Sequence, residues 1–112
     1  MTAIRRAVRL GNQRLFDDAA SLIEGKRLGL ITNQSGVDVD LKLTADRLSR
    51  WPGCDLVALF SPEHGIRGDH QDGVEVSSPS DTHTGVTVHS LYGPAGRQPG
   101  PDQLTHLDVL LF

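Results

Sequence analysis

Short apolar runs that alternate with helical patterns constrain the fold of this chain most strongly. The sequence predicts four strands, which are Lys26–Thr32, Asp55–Phe60, Val86–Leu91 and Leu107–Phe112. It predicts helices at about 12–24, 41–50 and 101–106, because apolar residues recur there on one helical face or a proline opens the segment. The run Asp55–Phe60 is apolar without interruption after its first residue, which is typical of a strand that is covered on both faces.

This alternation of helix and strand predicts an α/β fold. It favours a Rossmann-like, mainly parallel sheet with flanking helices. A Gly-x-Gly-x-x-Gly sequence follows none of the predicted strands, so a dinucleotide site is not supported and we expect no cofactor.

Composition bounds the classes of function. A chain of 112 residues forms one domain at most, and its net charge of −3 gives no electrostatic footprint for nucleic acid or for an anionic membrane. Cys54 is the single cysteine, which excludes an intrachain disulfide and a cysteine metal cluster. No apolar stretch follows the arginines near the start of the sequence, so the chain as given shows no signal peptide. Taken as given it would be cytoplasmic, but its true location stays open.

The segment Ser61–Asp69 is the best candidate for chemistry. It follows a predicted core strand directly and brings together Glu63, His64, Arg67 and a second carboxylate within nine residues. Two glycines and a proline interrupt helix and strand there. Open α/β sheets bind their ligands at the carboxyl ends of the strands, which is where this loop lies.

Several blocks of the sequence together resemble one family. They are Leu30–Asp38, Leu59–Gly68, Ser90–Gly93 and Leu107–Phe112, in that order. These blocks resemble the bacterial exo-β-N-acetylmuramidases, a glycoside hydrolase family long catalogued as a domain of unknown function. The resemblance covers nearly the whole chain from about Leu15, and the block Ser61–Gly68 is its most specific part.

The resemblance implies release of N-acetylmuramic acid from the non-reducing ends of peptidoglycan fragments during cell-wall turnover. Family members are about three times longer, and their last matching strand continues into an acidic segment. We therefore expect residues 1–112 to be the N-terminal part of a Rossmann-like catalytic domain. The resemblance also implies that the rest of the sheet and a C-terminal domain lie outside residues 1–112, and we therefore expect the fragment alone to be inactive.

Glycoside hydrolysis normally needs two carboxyl groups. Glu63 is the candidate for one of them, with a structural carboxylate of the glycine loop as the alternative. His64 is either a proton shuttle or a structural hydrogen-bonding group. The second catalytic carboxylate and the stereochemical course stay open.

Four further residues are candidates for substrate binding. Arg67 suits the lactyl carboxylate of muramic acid, with an ion pair to Asp69 or Asp72 as the alternative. Asn33 binds a sugar or caps its own turn, and the turn is favoured. Tyr92 stacks on a sugar or packs internally, and we also assign Asp72 to substrate binding.

Two other functions remain open. Asp69, His70 and Asp72 favour a metal-dependent hydrolase weakly, because their spacing matches no established metal motif and we assign no metal residue. A non-catalytic, truncated sugar-binding α/β domain is the stronger alternative. Asp81 and His83 lie in a stretch rich in serine and threonine, and we expect both to be solvated loop residues.

Overall fold

The computed structural model of the protein describes residues 7–62, 65–68, 80–92 and 96–112. The described helices are α1 (Gly11–Asp17), α2 (Thr44–Arg50) and α3 (Pro101–Leu104), with a 3-10 turn at Ala20–Leu22. The described strands are β1 (Arg27–Ile31), β2 (Asp55–Ser61), β3 (Thr87–Ser90) and β4 (Val109–Leu111). None of the described helices is long and apolar enough to cross a membrane.

The four strands form one sheet in the order β3-β2-β1-β4, and every neighbouring pair is parallel. The predicted α/β class is therefore confirmed. The chain adds β2 and β3 on one side of β1 and then crosses back to place β4 on the other side. This order matches the first four strands of the Rossmann order 3-2-1-4-5-6, and the reversal creates a topological switch point at the carboxyl ends of β1 and β4.

One face of the sheet carries the larger core. Leu28 and Leu30 of β1 point to this face, where α1, the 3-10 turn and α2 cover them. The covering side chains are Phe16, Ile23, Ala45 and Leu48. Leu56 and Leu59 of β2 reach the same face although they are three residues apart, because the β1–β2 register shifts after Leu28.

The opposite face holds a smaller cluster of Ala58, Phe60 and Leu91, with Leu107 packed against it. Gly29 faces this cluster from β1. A Cβ atom at this position would lie 2.5 Å from Leu107 Cδ1 and 3.1 Å from Phe60 Cε2. Gly29 therefore allows the α3–β4 connection to pack close to the sheet.

The predicted bounds of the helices were too wide. The first predicted helix ends at Asp17, and the following 3-10 turn exposes Leu22 at 66% while it keeps Ile23 fully buried. The second helix begins only at Thr44, because Leu43 forms an antiparallel bridge with Val37.

Candidate functional site: the carboxyl edge of the sheet

Backbone hydrogen bonds continue past the strand ends and align the loops that follow. The Thr32 amide donates to the Phe60 carbonyl at 3.1 Å, and the Leu91 amide donates to the Ser61 carbonyl at 2.8 Å. The next residues along these three segments are Asn33, Pro62 and Tyr92. The structure thus brings the predicted residues Asn33 and Tyr92 to the same sheet edge as the start of the Glu63 segment.

A cleft of about 680 Å³ opens at this edge. The ends of β1 and β4 form its floor with Ile31 and Leu111. The polar side chains that line it are Asn12, Thr32, Asn33, Ser35 and Thr44. The cleft lies at the switch point between β1 and β4, which is where a doubly wound sheet offers a binding crevice.

A second concavity of about 590 Å³ adjoins the first. Tyr92 and Arg97 line it, and the Arg97 guanidinium lies 5.6 Å from the centre of the Tyr92 ring. Ile31, Pro62 and Phe112 line both cavities. Pro62 directly precedes Glu63 in the sequence, so the cleft and the second concavity both reach the start of the predicted catalytic segment.

Asn33 holds the turn that follows β1. Its Oδ1 accepts hydrogen bonds from the Ser35 amide at 3.0 Å and from the Ser35 hydroxyl at 2.6 Å. This is the local turn geometry that asparagine side chains favour. The turn role preferred from the sequence is present, while sugar binding by Asn33 stays a prediction.

Asp38 organises the outer part of the same loop. Its buried Oδ1 accepts the amides of Asp40 and Lys42 at 2.9 and 3.0 Å. These backbone hydrogen bonds hold the pKa of the Asp38 carboxyl below its ordinary value. They also enclose Leu41, which adopts a positive φ of 61° in this turn. The loop beside the cleft therefore has its own polar framework.

Residues 65–68 form a compact bend. Gly65 and Gly68 have φ angles of 76° and 73°, and between them lie Ile66 and Arg67. Ile66 is 5% exposed and joins the main core. A Cβ atom on Gly68 would lie 3.0 Å from the Gln34 side chain in a strained backbone conformation, so glycine suits this position on both counts.

The Arg67 guanidinium is clamped by two carboxylates. Its Nε and Nη2 donate to Asp81 at 2.8 and 2.9 Å. Its Nη2 and Nη1 donate to Asp46 at 2.8 and 3.3 Å. The hydrogen bonds to Asp81 raise the pKa of Arg67 most strongly, with Asp46 the next cause, so the guanidinium stays charged.

These contacts correct one expectation and add one residue. Asp81 was expected to be solvated, which is wrong, because only 5% of its side chain is exposed. Arg67 and the hydroxyl and amide of Thr84 bind its carboxylate and lower its pKa well below the ordinary value. Asp46 was missed, since no local pattern links it to a partner 21 residues away. The spacing of Asp81 and Thr84 signals a local turn but not the distant arginine.

Five predicted positions lie outside the described residues. They are Glu63, His64, Asp69, His70 and Asp72. Their assigned roles, including the ion-pair alternatives for Arg67, stay predictions. In the part of the chain that the structure describes, no three histidine, cysteine, aspartate or glutamate side chains group as metal ligands.

The fold and the cleft define a class of protein. A parallel sheet in the order β3-β2-β1-β4 with a cleft at its switch point is a Rossmann-like α/β arrangement, a class of fold that typically carries its ligand sites at the carboxyl edge of the sheet.

Comparison with known proteins is more specific. The family described as "Exo-beta-N-acetylmuramidase NamZ, N-terminal" matches residues 28–112, so the chain belongs to this family. A relative from Bacillus subtilis (strain 168), the peptidoglycan beta-N-acetylmuramidase NamZ, is 47% identical over 99% of this chain. The chain covers 27% of that relative.

Two crystal structures of DUF1343 family proteins from Bacteroides fragilis NCTC 9343 share the fold. One matches with a TM-score of 0.78 and 44% identity, over 91% of this chain and 24% of its own. The other matches with a TM-score of 0.70 and 27% identity, over 95% of this chain and 25% of its own. The chain thus spans about a quarter of the length of the relatives that it matches.

Proposed function

We propose that this chain contributes the N-terminal part of a Rossmann-like catalytic domain to a cell-wall glycosidase. The enzyme releases N-acetylmuramic acid from the non-reducing ends of peptidoglycan fragments. Family membership and the 47% identity to a peptidoglycan beta-N-acetylmuramidase support this reaction class. The substrate is a muramic acid saccharide that enters at the carboxyl edge of the sheet.

The observation that carries the proposal is the position of the cleft. Its two cavities meet at Pro62, the residue before Glu63, and they lie where a Rossmann-like sheet binds ligands. The apolar floor at Ile31 and Leu111 suits the less polar face of a sugar ring. The polar side chains around it can exchange hydrogen bonds with sugar hydroxyls.

In this proposal Glu63 supplies one catalytic carboxyl group and His64 assists proton transfer. Asn33, Asp72 and Tyr92 contact the saccharide. Among the described residues that line the two cavities there is no carboxylate, so the second carboxyl group that glycoside hydrolysis requires is contributed from elsewhere. We accordingly propose that the 112-residue chain alone binds the saccharide without turning it over.

The test is hydrolysis of a chromogenic N-acetylmuramide by the full-length protein that carries this chain. Glu63→Gln removes the ionisable group and keeps its size, so we expect kcat to fall on the order of 10²–10⁴-fold. Glu24→Gln, a change at an exposed residue between the 3-10 turn and β1, is the matched control and leaves kcat unchanged. A loss of less than about tenfold for Glu63→Gln argues against an acid, base or nucleophilic role.

Binding is measured separately on the 112-residue chain. Titration with N-acetylmuramic acid should shift the amide NMR signals of Thr32, Asn33 and Tyr92. Leu28, at the opposite end of β1, provides the internal control. If no signal at the carboxyl edge moves, the cleft is not the saccharide site.

A further inference from the structure

In the sequence, buried residues flank the two residues that carry the proposed chemistry. On one side Ser61 is fully buried and its carbonyl accepts the Leu91 amide at 2.8 Å. On the other side Ile66 is inserted in the main core. Glu63 and His64 stand between these anchors in the sequence. The described residues on both sides of this pair are therefore held by the core of the fold.

Arg67 is a polar anchor on the carboxyl-terminal side. A guanidinium has five N–H donors. Four of them are used in the bonds to Asp46 and Asp81, which leaves at most one for any other partner. A bidentate grip on a substrate carboxylate needs two, so Arg67 cannot provide it while both aspartates stay bound.

The same contacts tie three parts of the fold together. Asp46 lies in the first turn of α2, on the face of the sheet that carries the main core. Asp81 opens the turn before β3, where Thr84 holds its carboxylate and the Asp81 amide donates to the Val86 carbonyl at 2.9 Å. Arg67 thus links the segment after β2 to a neighbouring helix and to the turn that leads into the neighbouring strand.

We propose that Arg67, clamped by Asp46 and Asp81, is a positioning residue that fixes the Glu63 segment for catalysis, and that it does not bind the substrate carboxylate. The catalytic part of this inference rests on the function proposed above. It replaces the substrate-binding role that the sequence suggested for Arg67. Asp46 and Asp81 belong to the same positioning cluster. Both carry a negative charge, which does not suit the binding of an acidic sugar.

Kinetics of the full-length protein with a chromogenic N-acetylmuramide separate the two roles. Asp81→Asn, Asp46→Asn and Arg67→Lys should each lower kcat about 10–100-fold with KM within about twofold, since small misplacements of catalytic groups cost that much. Lysine keeps the charge but cannot bridge two carboxylates bidentately. Each variant is assayed below its melting temperature.

The control is Asp108→Asn, which removes another bidentate ion pair, to Arg27, at the opposite edge of the same sheet. It should leave kcat and KM unchanged. An increase in KM for Arg67→Lys, together with an unchanged kcat for Asp81→Asn, overturns the proposal in favour of substrate binding.

A second measurement does not depend on activity. Hydrogen–deuterium exchange of a peptide that spans Leu59–Gly68 should become at least about tenfold faster in Asp81→Asn, while the peptide of β1 keeps its rate. Unchanged exchange in both peptides overturns the positioning role whatever the enzyme does. If the wild-type protein releases no N-acetylmuramic acid, the glycosidase function and the catalytic part of this inference both fail, and the exchange rates still decide whether the clamp holds the segment.

Discussion

Replacement of Asp81 by asparagine tests the energetics of the Arg67 clamp with minimal change of shape. Oδ2 of Asp81 accepts three hydrogen bonds, from Arg67 Nη2 and from the amide and hydroxyl of Thr84. Oδ1 accepts one, from Arg67 Nε. The asparagine carbonyl oxygen will take the position with three donors, which turns the NH₂ group toward the Nε–H of Arg67. One charged hydrogen bond is then lost, and two donors face each other.

The expected loss of stability follows from this geometry. A hydrogen bond to a charged group contributes about 1.5–3 kcal/mol, and the three retained bonds become weaker because the acceptor is neutral. Arg67 keeps Asp46 as a partner, so the loss stays below the value of about 5 kcal/mol that is reached when a buried charge is left alone. We expect Asp81→Asn to lower the free energy of unfolding by about 2–4 kcal/mol at pH 7.

The assay is denaturant unfolding of both proteins at several pH values. Because the folded-state pKa of Asp81 is lowered, chiefly by Arg67, its contribution to stability is fully present above the unfolded pKa of about 3.9 and is lost as the pH falls further. The difference between the proteins should therefore be constant from pH 7 to about 5.5 and shrink below about pH 4. Asp40→Asn, at an exposed carboxylate, should stay within about 0.5 kcal/mol of wild type.

A difference below about 0.5 kcal/mol at pH 7 refutes the reasoning, since it means that the clamp contributes no net stability. A large difference that persists unchanged to pH 2 refutes it as well, because the loss would then come from packing and not from the carboxylate charge.

A substitution and a measurement of thiol reactivity test the packing of the fold. Gly29→Ala should lower the free energy of unfolding by about 1–3 kcal/mol, because the new methyl group overlaps Leu107. Leu107→Ala should recover part of this loss in the double variant. If the two changes are strictly additive in denaturant unfolding, the proposed contact is contradicted. Burial raises the pKa of the Cys54 thiol, so at pH 7.5 its reaction with an aromatic disulfide should be at least about tenfold slower in the native protein than in guanidinium chloride, and equal rates contradict this.

The sequence predicted the strands well because their signal is local. Each apolar run is long enough for one strand, and β2 (Asp55–Ser61) extends the predicted segment by a single residue. Helix bounds were less accurate, since Leu43 follows the helical spacing but is used by a bridge to Val37. Tertiary hydrogen bonding overrides local propensity at such positions.

The sequence did not predict which side chains that are far apart along the chain contact each other. The sequence suggested the substrate carboxylate, or Asp69 or Asp72, as the partner of Arg67, whereas its described partners are 14 and 21 residues away. No local feature of the sequence distinguishes Asp46 from the other acidic residues as a partner of Arg67. The fold packs α2 against β2, and this brings Asp46 within 2.8 Å of the Arg67 guanidinium. Topology therefore decides which charges meet.

The strand order also determines which predicted site residues can act on one ligand. Asn33 follows β1 and Tyr92 follows β3, while Glu63 follows β2, which lies between them. Neighbouring strands are about 4.8 Å apart, so the ends of β1 and β3 are separated by about 10 Å. A ligand that contacts both Asn33 and Tyr92 must therefore lie across the end of β2. This requirement favours a saccharide bound over the start of the Glu63 segment, and the NMR titration tests it, because the signals of Asn33 and Tyr92 should then shift together with the same dissociation constant.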